Sequence, residues 1–374
     1  MASDQYQYVE TRVQLLSAVE ACKSAGVIAL DTEFARFNTY YPIVGLIQIA
    51  TRDDCFLIDP VALSDLEPLA PLLQNPGILK VFHACSEDLE VFQHALGFIP
   101  APLFDTQIAA AVLGVGFSMS YQALVEHWLG ISLPKDQTRS DWLARPLTAQ
   151  QLHYAALDVI HLLEVFENQS RELSTAGKDT WIAEESAALG HDIPTMIDPQ
   201  LAYRRLKGLW QLEGRQLNQL RALCAWREET ARREDRPRNR VVDEKALMAI
   251  VRSNVRDRRG LQQQGKLTPR QVRKFGDDLI KVMDEADRMT EDQHPPEVHR
   301  DARPVSSSML KRLRKIVDDK AAELSLAPEL LMKRRHLEQL IRSSDGLGAH
   351  QLPAALHGWR SSVIGAELLE ALAE

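Results

Sequence analysis

The chain has 374 residues, 45% of them hydrophobic and 26% charged, with a formal net charge of −8. That length admits two or three domains with ordinary cores, and the composition is that of a water-soluble globular protein. It excludes a helical membrane span, because no apolar run reaches about 18 residues.

The N-terminal residues lack a basic stretch followed by an apolar one, so no secretory signal is expected. Cys22, Cys55, Cys85 and Cys224 are scattered with no C-x-x-C pair. This spacing argues against structural zinc and for a reducing, cytoplasmic setting.

In chain order, residues 26–34 read as a short buried strand following Gly26. Residues 44–50 and 55–58 read as the next two strands, separated by the turn-like run 51–54. A helix is expected over 61–75, then a buried strand over 79–83. A further helix follows over 86–96, with Ser86 as its N-cap. Asp105 opens a helix through Leu113, and Ser120 opens another through Leu129. Thr148 caps a helix running to about Leu173, with Gln151 completing a capping box. Strands followed by alternating strand and helix predict an α/β domain with a mixed sheet.

From about residue 201 the strand pattern stops and amphipathic helices take over. Residues 201–234 are helical and arginine-rich, with shorter helices over 242–251, 261–266 and 268–286. The polar, proline-containing run 289–306 reads as a linker, and a last helical segment spans 307–374. The resulting map is 1–200, 201–288, a linker over 289–306, and 307–374. Charge divides along the same line. Residues 1–200 carry 10 Lys+Arg against 26 Asp+Glu, and residues 201–374 carry 34 against 26. The acidic half suits cation binding and the basic half suits a polyanion, while helices laced with salt bridges would give the same counts.

Four carboxylates stand in separate apolar frames. Asp31 and Glu33 are two apart on the first strand, so both point to one face. Asp88 opens a helix. Asp158 lies four residues after Tyr154 on a helix, so these two also share a face. Buried acids demand compensating charge, and a pair of divalent cations supplies it. Two metals held by carboxylates are a recurrent device for in-line attack on a phosphodiester. Taken singly, each motif has an ordinary alternative: a solvent-facing strand end, a helix acid or a core tyrosine.

Together they resemble the DEDD exonuclease superfamily in its tyrosine-containing branch. The order fits, with 57 residues from Asp31 to Asp88 and 70 from there to Asp158. Asp31-Thr32-Glu33-Phe34, Gly45-Leu46-Ile47-Gln48-Ile49-Ala50 and Phe104-Asp105-Thr106-Gln107 look like the ribonuclease D family. So does the stretch from Arg139 to Leu147 running into Gln151–Asp158. Residues 203–285 look like an HRDC domain, and 307–374 like a second, more divergent one.

The resemblance implies an α/β ribonuclease H-like exonuclease domain with a mixed sheet, followed by two all-α HRDC-like helical domains. It also implies a hydrolytic 3′→5′ exoribonuclease that trims 3′ ends of tRNA precursors and other small structured RNAs, releasing nucleoside 5′-monophosphates. Asp31, Glu33, Asp88 and Asp158 would hold two divalent metal ions, Mg²⁺ or Mn²⁺, since oxygen-only ligands select hard cations. Tyr154 would orient or deprotonate the attacking water. RNA is the expected partner, with no membrane and a monomeric chain. A DNA exonuclease and a catalytically silent RNA-binding scaffold are the alternatives, the latter disfavoured because all four acids and Tyr154 are present.

Secondary candidates for substrate contact are Phe34, Gln48, His83, Arg139, Trp142 and Arg145, together with Arg236, Arg238 and Arg240 in the basic half. Core packing competes for Phe34 and Trp142, and a satisfied buried histidine competes for His83. A solvated helix face competes for the arginine run. Asp105 and Asp141 read as a helix cap and a loop acid.

Overall fold

The computed structural model describes residues 6–134, 140–190, 193, 197–296, 306–343 and 350–373. The chain divides into two compact units. The first comprises Met1–Ala35, Ile43–His191 and Arg303–Glu374, and the second Arg36–Pro42 and Asp192–Ala302.

The first unit is built on one sheet. Its strands are β1 (Gln7–Val9), β2 (Val27–Ala35), β3 (Ile43–Ala50), β4 (Cys55–Ile58), β5 (Leu79–Phe82) and β6 (Leu103–Asp105), in the order β1-β4-β3-β2-β5-β6. Strand β2 pairs antiparallel with β3 and parallel with β5, which makes the sheet mixed as predicted. Its Ile28, Ala29 and Leu30 are fully buried, as a strand covered on both faces requires. Strands β1 and β6 have three residues each, too few for alternation to register in the sequence.

Helices α1 (Arg12–Cys22), α2 (Ala70–Leu73), α3 (Ser86–Leu96), α4 (Thr106–Val112), α5 (Tyr121–Leu129), α6 (Ala149–Ile160), α7 (Leu162–Thr175) and α8 (Asp179–Ala188) surround it. The helix expected over 61–75 shrinks to one 3₁₀ turn and α2. Asp59 accepts from the backbone of Val61 and Ala62, holding a turn there, and Pro68 and Pro71 confine helix to short pieces. The single helix expected from Thr148 breaks at His161, whose N–H turns to Val159. The Thr148–Gln151 capping box is present. Ser86 is the first residue of α3 and not its cap; Cys85 holds that place without a side-chain bond.

The second unit is helical: α9 (Gly214–Arg233), α10 (Arg238–Val241), α11 (Glu244–Arg252), α12 (Arg258–Gln263) and α13 (Pro269–Asp287). Leu217, Leu220, Leu247, Ile250 and Leu279 are fully buried in a core of its own. The loop between β2 and β3 belongs here, with Tyr40 in that core.

The C-terminal helices return to the first unit: α14 (Ser307–Glu323), α15 (Pro328–Leu331), α16 (Arg334–Arg342) and α17 (Ala366–Ala373). Leu313, Val317, Leu331, Leu337, Leu340, Leu356 and Leu368 are fully buried in one cluster with Ala109, Leu124 and Val159 of the sheet domain. Trp181 stacks on Trp359 with ring centroids 4.6 Å apart. The buried Lys178 ammonium donates to the carbonyls of Val112 and Ser325 at 2.8 and 2.7 Å. Arg360 grips Glu185 with both ends of its guanidinium, and the Trp359 N–H donates to Glu184. Gly358, at φ +73°, passes so close to Glu184 that a Cβ would sit 2.1 Å from its carboxylate.

Candidate active site

Asp31 and Glu33 occupy alternate positions of β2 and share the face of Ala29, on which α6 packs. The capping box at Thr148 sets the start of α6, and one turn apart on that helix stand Tyr154 and Asp158. One carboxylate oxygen each from Asp31, Glu33 and Asp158 lie within 4.8 Å of one another. Tyr154 lies one turn from Asp158 and favours its charged form, and its ring lies 6.3 Å from that of Trp142.

Asp88 arrives from the other side of the sequence. Asp105, the last residue of β6, accepts from the backbone N–H groups of Ala84 and Cys85 at 3.1 and 2.9 Å. That holds Ala84 at φ 57° and launches α3 with Asp88 in its first turn. Asp105 also caps α4, as the sequence indicated. The Asp88 carboxylate is 7% exposed and accepts from the Thr32 hydroxyl. It stands outside the group of three, near enough to raise Asp31 by repulsion.

These acids hold one another's protons. Burial, then the charges of Asp88, Asp158 and Glu33, keep Asp31 well above the usual carboxylate range. Glu33 is pushed up to about 9 by burial and by Asp158 and Asp88. Asp88 and Asp158 are each pushed up to about 7 by burial, against hydrogen bonds from Thr32 and Tyr154 that favour the charged form. Among the described residues no cation offsets these charges. Oxygen ligands of one hard cation sit about 2.0–2.6 Å from it, so three oxygens within 4.8 Å of one another have the spacing to share a single divalent cation.

Gln48 supplies a second sign of fit. It lies opposite Asp31 in the β2–β3 register and is fully buried, and neither its amide oxygen nor its nitrogen has a hydrogen-bond partner among the described residues. A buried amide in that position wants a polar neighbour such as ordered water around a cation.

The other predicted contacts divide. Phe34 is partly exposed, beside the irregularity in the β2–β3 pairing at Glu33/Phe34. His83 has both ring nitrogens engaged within the protein: its Nδ1 meets the Thr106 hydroxyl at 3.0 Å and its Nε2 the Met119 carbonyl at 3.1 Å. Burial lowers its pKa. Trp142 is 3% exposed and cannot stack a base. Its backbone packs so tightly on Gly45 that a Cβ there would meet the Trp142 carbonyl at 2.6 Å. Arg145 is likewise a clasp, with two hydrogen bonds to the buried Asp59 at 2.7 and 2.6 Å and others to the carbonyls of Trp142 and Gly45. Arg139 lies outside the described residues.

In the second unit Arg236 pairs with Glu234 and Arg238 with Glu228. Arg240 is exposed. Residues that sequence reasoning missed are Thr32, which positions Asp88, and Asp59, which holds Arg145. Both needed the fold to meet their partners.

A mixed sheet whose central strand presents two acids to a third on a covering helix, with a tyrosine on that third, defines a metal-dependent exonuclease. Residues 6–174 match the family model described as 3′-5′ exonuclease. Residues 216–283 match the HRDC domain, and residues 304–368 the ribonuclease D C-terminal HRDC domain. The chain is 42% identical to the ribonuclease D of Pseudomonas paraeruginosa, over 100% of this chain and 99% of that one. It is 36% identical to the Escherichia coli ribonuclease D, over 99% of each. The crystal structure of E. coli RNase D, described as an exoribonuclease involved in structured RNA processing, superposes with a TM-score of 0.91 at 35% identity, over 98% of both chains. The catalytic core of RRP6 from Trypanosoma brucei gives 0.60 at 27% identity, over 76% of this chain and 80% of that one. The chain belongs to the ribonuclease D family, a family of 3′→5′ exoribonucleases that depend on divalent metal.

Proposed function

We propose that this chain removes nucleotides one at a time from the 3′ ends of tRNA precursors and other small structured RNAs, releasing nucleoside 5′-monophosphates. The observation that carries the reading is the convergence of Asp31, Glu33 and Asp158 within 4.8 Å. These three would hold one divalent ion, Mg²⁺ or Mn²⁺, and Asp31 with Asp88 a second. When bound, the ions would supply charge stabilisation for an in-line displacement at phosphorus. The chain's own groups do the rest. Tyr154, its hydroxyl tied to Asp158 and its proton held tightly by burial and by the neighbouring acids, orients the attacking water. The Gln48 amide, unpartnered opposite Asp31, would meet ordered water around the ions. Thr32 keeps the Asp88 carboxylate aimed and favours its charged form against burial.

The setting we assign is a cytoplasmic monomer. All four cysteines are free and buried, and no helix among the described residues is long and apolar enough to cross a membrane.

The test is a 5′-labelled RNA with a short 3′ extension beyond a stem, incubated with Mg²⁺ or with EDTA. A ladder shortening from the 3′ end only with metal is expected. RNA left intact under both conditions would overturn the reading, and equal shortening of the matching DNA would overturn the preference for RNA.

A further inference from the structure

The second unit carries a cleft of about 440 Å³ lined by Arg36, Phe37, Thr39, Arg238, Asn239 and Arg240. Its two walls are the loop at 36–40 and the turn at 236–240. These ten positions hold four arginines and no acid. Phe37 is 80% exposed, an aromatic ring left in water at the mouth of a cationic cleft. Arg240 is exposed and forms no ion pair with any described residue.

The walls are held together from beneath. Tyr40 is 2% exposed; its hydroxyl donates to Glu228, and its backbone N–H donates to Asp235 at 2.9 Å. The Arg238 guanidinium lies over the Tyr40 ring, 4.6 Å from its centroid, and donates to Glu228 at 2.5 and 2.7 Å. Glu228 therefore absorbs much of the Arg238 charge. Arg36 donates to the Tyr40 carbonyl at 3.2 Å, while Arg240 is the exposed arginine of the lining and Phe37 its apolar platform.

We propose that this cleft is a nucleotide subsite for single-stranded RNA, with a base on the Phe37 ring and the adjoining phosphate met by Arg240 and Arg36. The proposal rests on the exoribonuclease reading and adds where the strand leading to the reactive end is held. A cationic groove with a bare aromatic ring is the combination that binds single strands without sequence preference. The volume suits one nucleotide. Phe37 follows Glu33 by four residues, so connectivity alone keeps their Cα atoms within about 15 Å.

The experiment uses the full chain with Phe37→Ala, Phe37→Trp, Arg240→Gln and the double Phe37→Ala/Arg240→Gln. Affinity for a single-stranded decanucleotide is read in the Asp158→Asn background with Mg²⁺ present. The ratio of kcat/KM for the decanucleotide to that for a dinucleotide is read in the active background. Phe37→Ala should weaken decanucleotide binding roughly fivefold to a hundredfold, the range for loss of one base-stacking platform. It should lower the kcat/KM ratio by a similar factor, and Phe37→Trp should restore both. Arg240→Gln should reduce the slope of log affinity against log salt by about 0.7, the share of one phosphate contact on a single strand.

Unchanged affinity and ratio in the double variant would overturn the subsite. So would equal loss on the two substrates, because it would mean that the loop merely shapes the strand bearing Glu33. Failure of the underlying reading looks different: the unsubstituted chain would not shorten RNA with Mg²⁺ at all.

Discussion

Replacing Asp158 by Asn should make the metal-free protein more stable while abolishing its activity. In the folded chain the Asp158 carboxyl titrates at about 7 instead of 3.8, chiefly because of burial. A carboxyl raised this far costs the folded state roughly 4 kcal/mol near pH 8, where it is ionised, and about 1.5 kcal/mol near pH 5. Asp158 shares its protons with Asp31, Glu33 and Asp88, so about half of that is a fair share for one residue, roughly 2 kcal/mol. The sign follows from linkage. The folded pKa lies above the unfolded one, so stability falls as pH rises from about 4 through about 7. Asn carries no such charge and escapes the loss. For a protein of this size the gain is several degrees in Tm. The assay is thermal unfolding in EDTA near pH 8 and near pH 5, for both proteins. The gain should shrink to about a third at the lower pH, and Mg²⁺ should narrow the gap near pH 8 by binding the wild type. An Asn variant no more stable than wild type near pH 8, or a gain independent of pH, would refute the reasoning that these acids strain the fold for want of a cation.

Tyr154→Phe should lower kcat roughly a hundredfold with little change in KM, because it removes a hydroxyl that positions water and leaves the three-acid group in place; single-turnover hydrolysis of a labelled RNA measures it. Arg145→Ala should destabilise by about 3 kcal/mol, read by urea unfolding, since Asp59 at 1% exposure would be left buried and unpaired. Burial raises the Asp59 pKa, but hydrogen bonds from Arg145 and Tyr8 prevail and hold it below the usual range. Wild type should therefore lose this contribution as pH falls through that lowered value, and the variant should show a flatter acid limb. Deleting residues 303–374 should leave a chain that aggregates in size-exclusion chromatography. It strips seven fully buried leucine and valine side chains from a shared core, worth roughly 2 kcal/mol each. A monomeric, cooperatively folding product would contradict the shared core.

The candidate acids were legible through their joint resemblance to the DEDD pattern, to which local spacing contributed only which side chains share a face: two residues apart on a strand, four apart on a helix. Those periods carry Asp31 with Glu33 and Tyr154 with Asp158 without any knowledge of tertiary structure. The substrate contacts were not legible in the same way. Trp142 and Arg145 sit in a polar run and His83 in an apolar one, yet Trp142 is buried in the core, Arg145 meets Asp59, and His83 meets Thr106 and Met119. Nothing local distinguishes an arginine that meets phosphate from one that meets a buried aspartate 86 residues away. The same limit hid β1 and β6, which exist because neighbouring strands offer them an edge.

The return of the C-terminal helices to the first unit bears on the order of synthesis. The strands bearing Asp31 and Glu33 leave the ribosome early, but α14 to α17, which complete their hydrophobic cluster, come roughly ten to forty seconds after α8 at ordinary elongation rates. In that interval the helical unit at 193–296 can fold on its own core while the nuclease scaffold waits with an open flank. Ribosome-bound chains arrested before residue 303 should accordingly be cut by protease within the sheet domain and spared within α9 to α13, whereas full-length chains resist in both.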